Sequence, residues 1–90
     1  MGAVADVMRK KLSVVFSPVL LEIEDDSARH HGHAGAQPGG ETHFNVVIEA
    51  AAFKGMARVQ RQRAVYTALA EELAGPVHAL SVKALAPGEA

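Results

Sequence analysis

The chain has no cysteine. A disulfide is therefore excluded, and so is any thiolate nucleophile or thiolate metal ligand supplied by this chain. That usage fits a reducing compartment. Aromatic residues make up only 4% of the 90 residues, so a core has to be built mainly from Val, Leu, Ile and Ala. Neither sign of charge dominates: the formal net charge is −1, which leaves no global basic field to attract nucleic acid. No apolar run approaches the ~18 residues of a membrane span, and the N-terminus lacks the basic flank and long apolar run of a secretory signal. The expectation is a soluble, cytoplasmic protein with no membrane association.

What is present suffices for one small domain. Hydrophobic residues reach 49%, enough for a single core, and a chain of this size is only marginally stable alone. There is no internal repeat and no domain boundary. Ala3 to Leu12 reads as a helix, with Val4, Val7, Met8 and Leu12 at helical spacing. Arg9, Lys10 and Lys11 fall near its C-terminal end, where positive charge suits the helix dipole. Pro18 ends any continuation. Val19 to Glu24 alternates as a strand, with Val19, Leu21 and Ile23 on one face. Residues 25–42 form a long loop of Asp, Ser, His, Gly and Pro that holds His30, His31 and His33. Loops of this length are usually functional or disordered.

His43 to Ala50 is the second strand, with Phe44, Val46 and Ile48 inward. Phe53-Lys54-Gly55 makes a turn in which Gly55 takes the positive φ. Ala57 to Ala74 reads as helix, in one piece or in two that meet near Arg61. Val59, Val65, Tyr66, Leu69, Ala70 and Leu73 are its expected buried stripe. Gly75-Pro76 stops it. His78 to Leu85 is the third strand, with His78, Leu80, Val82 and Ala84 on one side. Residues 86–90 give no reason for order. The order α-β-β-α-(α)-β predicts a two-layer α/β sandwich.

Few residues carry chemistry. His78, where the chain enters the last strand, is well mounted as a ligand, or else is a partly buried histidine with a local hydrogen bond. His30, His31 and His33 are too closely spaced in a Gly-rich loop to form a rigid metal cage, and taken alone they read as solvated. His43 faces away from Phe44 and reads as a solvated sheet position rather than a ligand. Lys54, Arg58, Arg61 and Arg63 cluster at the start of the long helix, as a solvated face or as a contact for phosphates or an acidic partner. The loop glycines are not followed by the Lys-Ser/Thr of a phosphate-binding loop. Glu71 and Glu72 point apart, and Ser13, Ser17 and Ser81 lack a nucleophile-elbow context. No enzyme is expected.

Glu41-Thr42-His43-Phe44, Arg58-Val59-Gln60-Arg61, and Leu69-Ala70-Glu71-Glu72-Leu73 followed by Val77-His78-Ala79-Leu80 resemble the BolA family, in the right order and spacing across Val7 to Leu85. The resemblance implies a hairpin of the first two strands and a last strand parallel to the second. The sheet is then three-stranded and mixed, in a fold similar to the type II KH fold. It also implies that His78 is the characteristic iron–sulfur ligand. The second ligand would be a loop histidine upstream of the Glu-Thr-His-Phe run: His33 first, with His31 and His30 as alternatives because the gap to Phe44 is about one residue longer than the commonest spacing.

Iron–sulfur clusters are usually held by four cysteine thiolates, although two histidines replace two of them in Rieske centres. Lacking thiolates, this chain needs a partner. The resemblance implies a monothiol glutaredoxin, whose cysteine and bound glutathione hold the other iron of a shared [2Fe–2S] cluster. Histidine ligation raises the cluster's potential and makes transfer pH-sensitive, since only neutral imidazole binds. The expected role is an adaptor in iron–sulfur cluster trafficking or iron regulation, as a monomer or weak homodimer when alone. The alternative is a DNA-binding transcriptional regulator acting through the helix that starts near Arg58. The matching Gly55-Met56-Ala57-Arg58 segment has one glycine, where KH domains clamp the backbone with Gly-x-x-Gly.

Overall fold

A computed structural model describes residues 2–27 and 40–89; His30, His31 and His33 lie outside the described residues. The first helix, α1 (Ala3–Phe16), runs a turn beyond the expected end at Leu12. Ala5, Met8 and Leu12 are buried, and Phe16 continues their spacing, its ring 4.9 Å from that of Phe53. Exposed Val14 and Val15 hide this continuation in the sequence. Ser17, at φ 46°, then turns the chain and bonds its N–H to the Ser13 carbonyl. Gly2 offers no side chain to cap the N-terminus, and Glu41 does so instead, its Oε2 accepting the Ala5 N–H at 3.0 Å. A Cβ on Gly2 would overlap that carboxylate. A negative group there also complements the helix dipole.

Strand β1 (Leu20–Asp25) pairs antiparallel with β2 (His43–Glu49), and β2 pairs parallel with β3 (Ala79–Leu85), giving the sheet order β1-β2-β3. The register sets Ile23 opposite Val46, Val46 opposite Val82 and Phe44 opposite Leu80. Phe44, Val46 and Ile48 are buried as expected, under helices that cover one face of the sheet. Val19 departs from its expected inward face: it lies in the bend after Pro18, outside the strand, and is exposed.

A 3₁₀ turn at Ala51–Phe53 drops Phe53 into the core, and Gly55 takes the expected positive φ of 81°. The second helical region is two helices, α2 (Arg58–Ala68) and α3 (Ala70–Ala74). They meet at Leu69 rather than near Arg61. Leu69 sits at φ −107°, ψ 21° and is fully buried. The bend keeps Val65 and Leu69 in the core and brings Glu71 and Glu72 to Lys11 of α1, at 2.7 and 2.8 Å.

The expected stripe on these helices is only partly buried: Leu73 packs on the core, but Val59, Tyr66 and Ala70 are exposed. The cause is that α2 approaches the edge strand with polar side chains. Arg61 Nη1, Gln62 Nε2 and Tyr66 OH donate to the carbonyls of Ala84, Val82 and Leu80 at 3.2, 3.4 and 2.9 Å. Alternate carbonyls of β3 that would otherwise be an open edge are thereby occupied. The segment after β3, expected to lack order, is folded as far as Glu89. Ala86 is buried, and the Glu89 carboxylate accepts from the Ala86 N–H and from the Arg61 guanidinium. Among the described residues no helix is long and apolar enough to cross a membrane.

Candidate metal centre at the strand entrances

Because β2 and β3 are parallel and in register from His43 opposite Ala79, the residues that enter the two strands are neighbours. Thr42 is the hinge between them. Its carbonyl accepts the N–H of His78 at 2.7 Å and that of Ala79 at 3.2 Å. Its hydroxyl lies 2.8 Å from Nδ1 of His43. The imidazoles of His43 and His78 are nearly parallel, 17° between planes, with centroids 6.2 Å apart. His78 is exposed and His43 half-buried.

A polar tie underneath fixes this arrangement. Thr42 and Ser27 are buried polar residues, and both are satisfied. The Ser27 hydroxyl accepts the Thr42 N–H at 3.1 Å and the His43 N–H at 3.4 Å, and itself donates to Asp25. Asp25 also accepts the N–H of Ser27 and, at 2.9 Å, that of Glu41. Burial works to raise the Asp25 carboxyl pKa. The hydrogen bonds from Ser27 and Glu41, with the charge of His43, outweigh it and hold the group below the ordinary value. The carboxylate thus stays ionised while anchoring the backbone that carries His43.

His78 is where the sequence places it, at the strand entrance. His43, expected to be a solvated sheet residue, is half-buried, and its ring lies 6.2 Å from that of His78. The signal that finds it is the register: once the second and third strands are parallel and start together, the residue before Ala79 must lie near His43. The basic residues do not form one unit. Lys54, Arg58 and Arg63 are exposed, whereas Arg61 is turned inward. Its Nε donates to the Met56 carbonyl at 3.0 Å, and its Nη1 and Nη2 pair with Glu89 at 2.5 and 3.0 Å. That carboxylate raises the Arg61 pKa further. Arg58 and Arg61 line a groove between α2 and β3; Lys54 and Arg63 do not.

Two imidazoles, those of His43 and His78, stand at the strand entrances. Among the described residues, no group of three or more His, Cys, Asp or Glu is placed to hold a metal ion. Histidine can replace thiolate in iron–sulfur ligation, and a chain without cysteine needs any thiolate ligand from another molecule.

A family model described as BolA-like protein matches residues 12–89. BolA-like protein 1 of Homo sapiens is 46% identical over 88 residues, covering 98% of this chain and 61% of that protein. The chain therefore spans under two thirds of the length of the mammalian relatives it matches. A protein of Escherichia coli strain K12 named DNA-binding transcriptional regulator BolA is 43% identical over 75 residues, 83% of this chain and 68% of that one. Among solved structures, the BolA domain of SufE1 from Arabidopsis thaliana is similar with a TM-score of 0.90 at 42% identity, covering 100% of this chain and 99% of that chain.

Proposed function

The chain belongs to the BolA-like family, and from that premise we propose that it is a non-catalytic adaptor that binds a monothiol glutaredoxin and co-ligates a [2Fe–2S] cluster as cargo. The observation that carries this reading is the mounting of His78: an exposed imidazole on a backbone pinned by the Thr42 carbonyl. A donor held this way changes partners with little reorganisation of its own chain. The chain has no thiolate to offer, so the sulfur ligands come from the glutaredoxin cysteine and glutathione. The family resemblance assigns the second imidazole to the loop, His33 before His31 and His30. Neutral imidazole is the ligating form, so cluster uptake is pH-sensitive.

The test is anaerobic reconstitution with a monothiol glutaredoxin, iron, sulfide and glutathione, followed by visible circular dichroism. A spectrum distinct from that of glutaredoxin alone, at one-to-one stoichiometry, is expected, and His78→Ala should abolish it while leaving the far-ultraviolet spectrum intact. A spectrum identical to the glutaredoxin's own overturns the reading.

A second reading, a DNA-binding regulator using α2 from Arg58 onward, is favoured by the name of the E. coli relative. The engagement of Arg61 with Glu89 weighs against it, leaving Lys54, Arg58 and Arg63 as the exposed cations of that region. Its mark would be duplex affinity that falls steeply between roughly 50 and 200 mM salt through counterion release. Cluster ligation lacks that dependence.

A further inference from the structure

We infer that the outer edge of β1 is a docking site for an extended, basic segment of another protein, which adds to the sheet as a strand beside β1. The inference goes beyond the adaptor reading and does not depend on it. β1 is an outer strand of the sheet. The Asp26 N–H bonds the His43 carbonyl at 2.7 Å, so the even-numbered residues of β1 turn their backbone toward β2, and Leu21, Ile23 and Asp25 turn theirs outward. The Leu21 carbonyl is accordingly met from α1, by Arg9 Nη1 at 3.4 Å.

The two edges of the sheet differ. Three side chains of α2 occupy carbonyls of β3, whereas the long Arg9 contact is what meets the outer edge of β1 among the described residues. The same guanidinium has a buried Nε without an acceptor among the described residues, so its hydrogen bonding is incomplete beside this edge. Leu21 and Ile23 pack on the core yet remain half-buried, and a neighbouring strand would add to their burial. An open edge of this kind is a template for strand addition.

Charge selects the occupant. Glu22 and Glu24 are exposed on the face of β1 opposite Leu21 and Ile23. Glu24 accepts from the neutral Asn45 amide at 2.9 Å, and no Lys or Arg pairs with either carboxylate among the described residues. A second copy of this chain fits badly. Antiparallel pairing centred on Ile23 sets each Glu22 opposite the other copy's Glu24, and pairing centred on Glu22 sets the two Glu22 side chains together. Like charges directly opposite destabilise a strand pair, and opposite charges stabilise it. The occupant is therefore a segment that alternates Lys or Arg, opposite Glu22 and Glu24, with apolar residues beside Leu21 and Ile23. The carboxylates that reject a second copy select this partner.

The experiment titrates the full ¹⁵N-labelled chain with synthetic peptides: alternating Lys and Val, alternating Glu and Val, and the Lys-Val peptide N-methylated at each Val, which removes the N–H groups that face β1. The Lys-Val peptide should shift the amide signals of Leu21, Ile23 and Asp25 and slow their exchange with solvent; the other two should not. Replacing both exposed carboxylates, Glu22→Lys with Glu24→Lys, should weaken Lys-Val binding about tenfold and create binding of the Glu-Val peptide. Absence of Lys-Val binding, equal binding of the N-methylated peptide, or shifts confined to residues outside β1 overturns the inference. So does sedimentation of the unliganded protein as a dimer with those three amides already protected.

Discussion

At the scale of single residues, Glu41, Thr42, His43 and Phe44 divide four tasks among four consecutive residues. Glu41 caps α1, Thr42 joins the entrances of β2 and β3, His43 presents an imidazole, and Phe44 fills the core. Phe44 and the face of His43 were legible from alternation alone. The tasks of Glu41 and Thr42 were not, since the bond from Ala5 to Glu41 and the bonds from His78 and Ala79 to Thr42 join segments about 36 residues apart. Nothing local signals them. Thr42→Val isolates the hydroxyl, because valine keeps the side-chain shape and the backbone carbonyl. Losing one such hydrogen bond costs about 1 kcal/mol, readable by urea unfolding. ¹⁵N spectra should also show His43 moving toward a mixture of tautomers while His78 stays as it was. An unchanged His43 would mean that the hydroxyl does not orient the ring.

At the scale of elements, hydrophobic period found α1, β1, β2, β3 and the α2–α3 region, but misplaced the break between α2 and α3, part of their buried stripe and the face of Val19. The second helical region reads as a continuous stripe from Val59 to Leu73, and no glycine or proline marks the bend at Leu69. The bend is a packing event. It keeps Leu69 at 0% exposure while α2 lies along β3 on the polar tips of Arg61, Gln62 and Tyr66. Polar side chains that satisfy edge carbonyls look, in a sequence, like a solvated face. Two residues from the same expected stripe should therefore part company. Leu69→Ala should cost about 2–5 kcal/mol, as a cavity at a site with no room to collapse does. Val59→Ala, at 60% exposure, should stay within about 0.5 kcal/mol. Chemical denaturation of the two variants side by side checks the pair, and comparable losses would return Val59 to the core.

At the scale of the whole molecule, a small core is supplemented by ties between distant parts of the chain: Lys11 to Glu71 and Glu72 across α1 and α3, and Arg61 to Glu89 across α2 and the end of the described chain. The second tie turns an expected loose tail into a folded cap on β3. It escaped the sequence reading because Ala86-Pro87-Gly88-Glu89 has no period, and its partner lies 28 residues back. The tie has a pH signature. Hydrogen bonding to the Arg61 guanidinium, with help from the Ala86 N–H, lowers the Glu89 carboxyl from 4.5 to about 2. A carboxyl whose pKa is lower folded than unfolded stabilises the fold above the unfolded value and loses that contribution as pH falls through the folded one. Glu89→Gln should therefore melt below the unmodified protein at pH 7. The gap should begin to narrow near pH 4.5 and close by about pH 2. The pair is solvent-facing, with Glu89 at 43% side-chain exposure, so the gap at pH 7 should be small and shrink further with added salt. A gap that persists unchanged at pH 2 would show that the cap is held by backbone contacts around Ala86 and not by the charge on Glu89.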